Sequence, residues 1–395
     1  LTPPLEAPKQ AREVPAPIPK AQPENGALAL GTPQPSPSGQ APAARVKVGL
    51  LLPLSGAGQT AIIAQSLQRA AELAISDMQA GQVIELVVRD DGGTPEGALK
   101  ATTEMVDAGA EIILGPLFSR SVATASSVTR SRQVPMIAFS NDRTVAGTGV
   151  HLLSFFAGPE VQRVTDYAVS KGKRRFAAFI PDDTYGKTVE QRFRESVARN
   201  SGTIVAAKTY PADGSGRTVP ILEALKALKL EMAAAEQHGD PIDALLLPGG
   251  EEMVPIVGPM LAQVGIDTSR IKILGTGALD SPTVGREPAF VGAWFASPEP
   301  KGFQSFAERF SRVHGLSPPR IATLAYDATA VAVALAGNPA GARYIPSALT
   351  RMAGYNGVDG LFRLTAEGPA ERALAILEVR ATGAEVVEPA AGGFF

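Results

Sequence analysis

The chain has 395 residues, of which 45% are hydrophobic and 19% charged, so it can bury a large core and is not a fully disordered protein. Its 37 Lys and Arg residues against 39 Asp and Glu residues give a net charge of −2, which argues against a nucleic-acid partner. Cysteine is absent, which excludes disulfides, thiolate metal sites and a cysteine nucleophile.

The first 45 residues are rich in proline and hold 11 of the chain's 33 prolines. Because proline fixes φ and removes a hydrogen-bond donor, residues 1–45 are predicted to form a disordered, extended linker. One interpretation is a tether to a lipid attached upstream of Leu1, with a reach on the order of 140 Å at ~3.1 Å per residue. The other is a terminus without a role. We expect a processed N-terminus, since the chain starts with Leu1 rather than Met.

From Val46 onward, short apolar runs alternate with helical periods, a pattern typical of βαβ units and parallel sheets. A first α/β lobe is predicted from strands at 46–54, 84–90, 111–116 and 135–140 and from helices at 60–78, 95–107 and 122–132. A second lobe is predicted from strands at 175–181, 203–210, 243–250 and 271–277 and from helices at 189–200, 221–237 and 253–264.

After the second lobe, the pattern predicts a return to the first. A return segment begins at 293–298, and helices follow at 303–314 and near 321–337. The apolar stretch from Ile321 to Gly337 contains Asp327 and is too short to span a bilayer, so it is predicted to be a buried helix. A hairpin is predicted from 360–364 and 373–379.

Ligands of parallel sheets sit beyond the carboxyl ends of the strands, which directs attention to six loops. These loops are 53–60, 115–121, 139–144, 181–187, 249–252 and 275–280. Ser119 opens a helix, where it either helps to hold an anion or caps the helix. Tyr185 either contacts a ligand or packs the turn. Glu251 in its loop is equally well explained as a solvated charge.

The enzyme motifs are incomplete. Residues 181–188 end like a P-loop, but Pro181 stands where the first glycine must be. Residues 275–280 have only two glycines of the dinucleotide fingerprint, and the three histidines lack metal-ligand spacing. We therefore predict a protein that is not an enzyme and has no cofactor and no metal site.

A set of ordered motifs resembles a known family over nearly all of residues 46–380. The motifs are "VKVGLLLPLSG", "AEIILGPLFSRSV", "VPMIAFSND", "FIPDDTYGKTVEQRF", "ALLLPGG", "ILGTGALD" and "AYDA". In this order they resemble the type I periplasmic binding proteins of the leucine and branched-chain amino acid class. "GAWFASPEP" and the Pro-rich segment look most like alphaproteobacterial lipoproteins similar to the penicillin-binding protein activator.

The resemblance implies an α/β fold with two Rossmann-like lobes of parallel sheet, joined by three crossovers and closing on ligand by hinge motion. The crossovers are expected near 152–158, 290–298 and 350–360. The implied domains are a linker at 1–45, a first lobe at 46–155 plus 298–355, and a second lobe at 156–292 plus 356–385.

The resemblance also implies site residues. The ligand carboxylate falls on Ser119, Ser140 and Asp142, although a carboxylate at Asp142 departs from the family pattern and would repel the ligand's own. The stacking tyrosine falls on Tyr185. The acid that pairs with the ligand's ammonium aligns with Gly277, and Asp280 or Glu251 is the candidate to replace it. Ser55 and Asn141 complete the predicted site.

Two functions are predicted from this. The first is an extracytoplasmic solute-binding protein that traps a small polar, amino-acid-like ligand and delivers it to the permease of an ABC importer. The alternative is a tethered periplasmic lipoprotein that activates a penicillin-binding protein through protein contact. Both place the chain in the periplasm, with the possible lipid anchor upstream of Leu1.

Overall fold

A computed structural model describes residues 27–30, 44–212 and 218–394. The strands are β1 Leu28–Ala29, β2 Val46–Leu52, β3 Ile84–Asp90, β4 Ile112–Leu114, β5 Met136–Ala138, β6 Val150–Leu152, β7 Arg175–Pro181, β8 Thr203–Tyr210, β9 Ala244–Leu246, β10 Lys272–Gly275, β11 Trp294–Ser297, β12 Tyr355–Gly357, β13 Gly360–Arg363, β14 Glu371–Arg372, β15 Ala375–Arg380 and β16 Gly383–Glu388. The α-helices are α1 Gln59–Asp77, α2 Pro95–Asp107, α3 Ser119–Ser131, α4 Ala157–Ser170, α5 Thr184–Arg199, α6 Thr218–Gln237, α7 Val254–Gln263, α8 Pro300–His314, α9 Ala322–Leu335 and α10 Pro346–Leu349. Short 3-10 turns include Arg143–Val145 and Gly277–Leu279.

The first lobe is built on a parallel sheet of five strands in the order β3-β2-β4-β5-β6. Strand β2 is apolar and almost wholly buried because both faces of the sheet are covered by helices. Leu50 and Leu52 pack with residues of α1 and α9, whereas Leu51 packs on the other face with α2 and α3. Helix α9 is buried along most of its length, which confirms the buried helix predicted at 321–337.

The second lobe is built on a sheet of seven strands in the order β16-β15-β11-β10-β9-β7-β8. The strands from β7 to β11 pair in parallel, and β15 and β16 add an antiparallel edge. The two faces of β7 divide in the same way as those of β2. Phe179 packs with α6 and α7, and Phe176 packs with α4 and α5. The α/β architecture with two Rossmann-like lobes is therefore as predicted.

A third, small sheet has the order β1-β12-β13-β14. Strand β1 pairs in parallel with β12, where the amide of Leu28 donates to the carbonyl of Gly354 and the amide of Leu30 donates to that of Asn356, each over 3.2 Å. Ala27 packs against Leu361 in a small apolar cluster. Residues 27–30 therefore form ordered structure where the sequence predicted a disordered linker, because Ala27, Leu28 and Leu30 pack against apolar residues of the folded part. The rest of the predicted linker, apart from residues 44 and 45, lies outside the described residues.

The chain crosses between the two lobes three times. The first crossing, at 153–156, follows β6, and the second, at 298–299, follows β11, so both lie in or beside the predicted ranges. The third crossing was predicted at 350–360, but it lies at 373–374, between β14 and β15. The reason is that Tyr355 and Phe362 are fully buried in the core of the first lobe and hold β12 and β13 there.

The predicted hairpin at 360–364 and 373–379 is also wrong. Strand β13 pairs with β12 and the two-residue β14, whereas β15 pairs with β11 and β16 in the other lobe. Strands β1, β6, β12, β14 and β16 were not predicted. None of the described helices combines the length and the apolar character that a membrane crossing requires.

Candidate functional site

A cleft of about 730 Å³ lies between the two lobes. The first lobe lines it with the loop after β5 and with Arg320, and the second lobe lines it with the starts of α4 and α5 and the turn after β10. Its charged lining residues are Asp142, Arg143, Glu160, Arg192, Glu195 and Arg320. Its aromatic lining residues are Phe155, Phe156 and Tyr185. The cleft therefore offers charges of both signs beside apolar rings.

Tyr185 lies in the first turn of α5 and lines the cleft. Asp183 caps this helix, since its Oδ1 accepts a hydrogen bond from the amide of Gly186 at 2.7 Å. The Tyr185 hydroxyl lies 2.9 Å from the carbonyl oxygen of Pro248 and 2.9 Å from Oγ1 of Thr276. The side chain is 37% exposed, so one side of the ring faces the cleft while the hydroxyl is fixed.

Glu160, in the first turn of α4, is a site residue that the sequence analysis missed. It is 8% exposed, and its Oε2 accepts a hydrogen bond from the amide of Gly277 at 2.8 Å. A Cβ atom built on Gly277 would lie 3.0 Å from Oε1 of Glu160. The resemblance places an acidic side chain at Gly277, and in this chain a carboxyl group from another element fills that place. Burial raises the pKa of Glu160 to about 7, although Arg320 acts in the opposite direction.

Asp280 does not line the cleft but lies directly behind it. Its carboxylate forms an ion pair with Arg320 and accepts a hydrogen bond from Ser297 at 3.3 Å. Arg320 also binds the fully buried carboxylate of Asp359 at 2.9 Å. Burial raises the pKa of Asp280 against the attraction of Arg320. Since Asp280 already has a cationic partner, its role is to hold Arg320 at the wall of the cleft.

Asn141 and Asp142, two of the predicted site residues, line the cleft. Oδ1 of Asp142 accepts hydrogen bonds from the amide and the hydroxyl of Thr144 at 3.0 and 2.6 Å, and these bonds lower its pKa. Ser140 is 4% exposed and lies behind, where its Oγ accepts a hydrogen bond from the amide of Asp142 at 3.1 Å. Asp142 is therefore ionised at the cleft wall, with Ser140 as its support.

Ser119, Ser55 and Glu251 do not line the cleft. Ser119 is the first residue of α3 but not its cap, which is Phe118, and its hydroxyl helps to lower the pKa of Asp142. The amide of Ser55 donates to Asp90 at 3.2 Å. Glu251 is exposed and accepts a hydrogen bond from Thr283 at 2.8 Å. Glu251 is thus a surface charge, and Ser119 and Ser55 support neighbouring carboxylates.

Two arginines that line the cleft, Arg143 and Arg192, were also missed. The guanidinium of Arg143 lies 5.4 Å from the centre of the Phe156 ring, at the first crossover. Nη1 of Arg192 lies 3.0 Å from Oε2 of Glu195, one turn along α5. Arg143 follows the predicted Asp142 directly, so the position of the loop was available from the sequence. Arg192 lies in the middle of a helix and carries no loop signal.

These features define a class of protein: two α/β lobes, joined by three crossovers, that enclose a cleft lined by apolar rings and by charges of both signs. The chain belongs to the periplasmic binding protein family, whose sequence model, described as "Periplasmic binding protein", matches residues 45–384. This family has a solute-binding fold and is not enzymatic, so the prediction of a non-enzymatic protein is confirmed. No curated protein sequence matches the chain.

Solved structures with the same fold extend over most of the chain. One is a putative branched-chain amino acid ABC transporter protein from Rhodospirillum rubrum, with 20% identity and a TM-score of 0.74 over 87% of this chain and 100% of that one. Another is an ABC transporter substrate-binding protein from Desulfitobacterium hafniense in complex with Leu, with 18% identity and a TM-score of 0.63 over 87% and 100%. A third, from R. palustris in complex with benzoate, has 18% identity and a TM-score of 0.61 over 88% and 98%.

Proposed function

We propose that this chain is an extracytoplasmic solute-binding protein that binds a small, amino-acid-like ligand between its lobes and delivers it to an ABC importer. The observation that carries the proposal is the carboxyl group of Glu160 at the cleft wall beside Gly277, with the Tyr185 ring facing the same space. A carboxyl group and an aromatic face together suit a ligand with a hydrogen-bond donor or cationic group and an apolar part.

The charges of the cleft support a ligand with both signs of charge. The first lobe contributes the acidic Asp142 and the basic Arg143, and the second lobe contributes the acidic Glu160 and the basic Arg192. A zwitterion satisfies such a surface better than a neutral compound, because unpaired charges that lose water on closure are costly. A ligand that contacts both lobes favours the closed arrangement by its stronger binding to that state.

The periplasmic location follows from the family, and the lipid anchor is a further part of the proposal. The chain works in the periplasm, and its Pro-rich segment connects the folded part to a lipid anchor upstream of Leu1. The alternative function, activation of a penicillin-binding protein through contact, uses the same fold and the same tether. It differs in one measurable way, since it does not require a ligand in the cleft.

The experiment is a thermal-shift screen of the full chain against amino acids, polyamines, small organic acids, sugars and peptidoglycan fragments. A ligand that binds only the folded state stabilises it by about 2.7 kcal/mol at 100 times its Kd. We expect a stabilising compound whose effect is lost in Tyr185→Ala and retained in Glu308→Ala, an exposed control in α8. A folded protein that responds to no compound would favour the alternative function.

A further inference from the structure

The cleft contains a like-charged pair formed across the two lobes. Arg143 belongs to the first lobe, in the 3-10 turn Arg143–Val145 after β5, and Arg192 belongs to the second lobe, in α5. Both side chains line the same cleft. Burial lowers the pKa of the Arg143 guanidinium, the charge of Arg192 lowers it further, and the charge of Glu371 raises it. The two cations thus face the same cleft, one from each lobe.

Arg143 is positioned but not neutralised. Its guanidinium lies over the Phe156 ring, and in the described part of the chain it has no ion-pair partner. The neighbouring carboxylate of Asp142 is occupied by the amide and hydroxyl of Thr144. Arg192 has a partner in Glu195, but that contact is a single one between half-exposed side chains. Both guanidiniums thus keep donors for a further acceptor.

The start of α4 lies beside this pair. Its N-cap residue, Phe156, provides no side-chain cap, and Ala157 and Gly158 both line the cleft. Nε of Arg192 would lie 3.5 Å from a Cβ atom built on Gly158, so the guanidinium rests against the first turn of the helix. The first amides of a helix lack backbone partners and favour an anion. They therefore add to the attraction that the two arginines exert on the same space.

We propose that the ligand carries a carboxylate and that Arg143 and Arg192 bind this group together, one from each lobe, so that the carboxylate joins the lobes on closure. This inference rests on the proposed solute-binding function. A single negative charge fits, because Arg143 supplies one unpaired positive charge while Asp142 and Glu195 line the same cleft and would repel a dianion. The planar fork of each guanidinium matches the geometry of a carboxylate.

The test compares acids with their amides on the full, unmodified chain by calorimetry. The probes are leucine, phenylalanine, benzoate and 4-hydroxybenzoate, each beside its primary amide. Replacing the carboxylate by an amide removes the negative charge and leaves the rest of the molecule in place. We expect at least one acid to bind and its amide to bind at least about tenfold more weakly, as for the loss of a charged hydrogen bond.

Variants then identify the binding groups. Arg143→Gln and Arg192→Gln are each expected to weaken acid binding by about tenfold or more, with little effect on the amide. Arg194→Gln is the matched control, since Arg194 lies on the same helix, is exposed and pairs with Glu190 outside the cleft. If acid and amide bind equally, or if Arg194→Gln weakens the acid as much as Arg192→Gln, the carboxylate proposal is wrong while solute binding stands. If none of the acids binds while another class of compound stabilises the protein in the thermal-shift screen, the carboxylate proposal is wrong and solute binding stands; if no compound binds in either experiment, both proposals fail.

Discussion

Arg320 of the first lobe and Asp280 of the second form an ion pair at the back of the cleft. Arg320 also donates a hydrogen bond to Asp359. The Asp359 carboxylate is fully buried and accepts a further hydrogen bond from Thr323 at 2.5 Å. The guanidinium lies over the rings of Phe155 and Phe303, at 5.9 and 5.2 Å. One side chain thus connects the two lobes close to the crossings where the chain passes between them.

Replacing Arg320 by Met is expected to reduce the free energy of unfolding by about 3–5 kcal/mol, because it leaves the buried Asp359 carboxylate without its cation. Urea unfolding measures the change. Arg312→Met, at an exposed position of α8, is the control and is expected to change stability by less than about 0.5 kcal/mol. A loss below about 1 kcal/mol for Arg320→Met would show that Asp359 is not held by this ion pair.

Glu160→Gln is expected to change how stability depends on pH. The pKa of Glu160 is about 7 in the folded protein and 4.5 as its ordinary value, so the folded state holds a proton that the unfolded state has lost between these values. The contribution of Glu160 is therefore complete below pH 4.5 and falls as pH rises to about 7. The shift corresponds to about 3 kcal/mol at most.

Glutamine does not titrate, so the variant lacks the contribution of residue 160 to the pH dependence of stability. Relative to the native protein, Glu160→Gln is expected to become more stable as pH rises from 4.5 to 8. Asp327, whose pKa burial also raises to about 7, titrates in both proteins and does not affect their difference. Urea unfolding at several pH values measures this difference, with Glu308→Gln as the exposed control. Parallel curves for the variant and the native protein would contradict the buried state of Glu160.

Tyr185→Phe separates the ring from the hydroxyl. The substitution removes the group that bonds to Pro248 and Thr276, and it is expected to lower stability by about 1 kcal/mol. Because the ring stays at the cleft wall, ligand binding is expected to persist in Tyr185→Phe and to disappear in Tyr185→Ala. Calorimetry with any ligand found in the screen makes the comparison. Equal loss in both variants would mean that the hydroxyl itself binds the ligand.

Gly186 allows the chain to turn sharply into α5. A Cβ atom at this position would lie 1.8 Å from the carbonyl oxygen of Pro181, so Gly186→Ala forces the backbone to move. We expect a loss of about 1–3 kcal/mol in stability. We also expect weaker ligand binding, because Tyr185 and Arg192 move with the helix. Gly337→Ala, at an exposed position with no atom within 4 Å of the added carbon, is the matched control for thermal unfolding.

The sequence predicted the bounds of a helix best where a capping residue and a first-turn proline mark its start. Helix α2 was predicted at its observed bounds because Thr94 caps it and Pro95 occupies its first position. Helix α3 begins at Ser119, where the sequence placed a helix start, although the helical pattern itself was assigned only from 122; its cap, Phe118, is not a capping residue type. The third crossover was misplaced because β12 and β13 are short and polar at their ends. Only their packing, through Tyr355 and Phe362, assigns them to the first lobe.

The candidate site was likewise predictable only where local sequence signals its residues. Asp142 and Tyr185 both line the cleft, and the sequence pointed to them because ligands of parallel sheets bind where strands hand over to loops and helix starts. Glu160 was missed because it acts from a helix on a glycine 117 residues away, a distance in sequence that no local pattern reports. Glu251 and Asp280 were the acidic candidates that the sequence offered in the loops 249–252 and 275–280. In the fold, one faces solvent and the other is paired with Arg320.

The pairing of β1 with β12 determines how the chain carries mechanical load. A pull on the residues before Ala27 acts along β1 and reaches the hydrogen bonds to Gly354 and Asn356 first, before it reaches β2 at Val46. Together with the apolar contacts of Ala27, Leu28 and Leu30, these bonds resist the removal of β1 from the sheet. The small sheet thus decides whether residues 27–30 stay attached to the folded part under load.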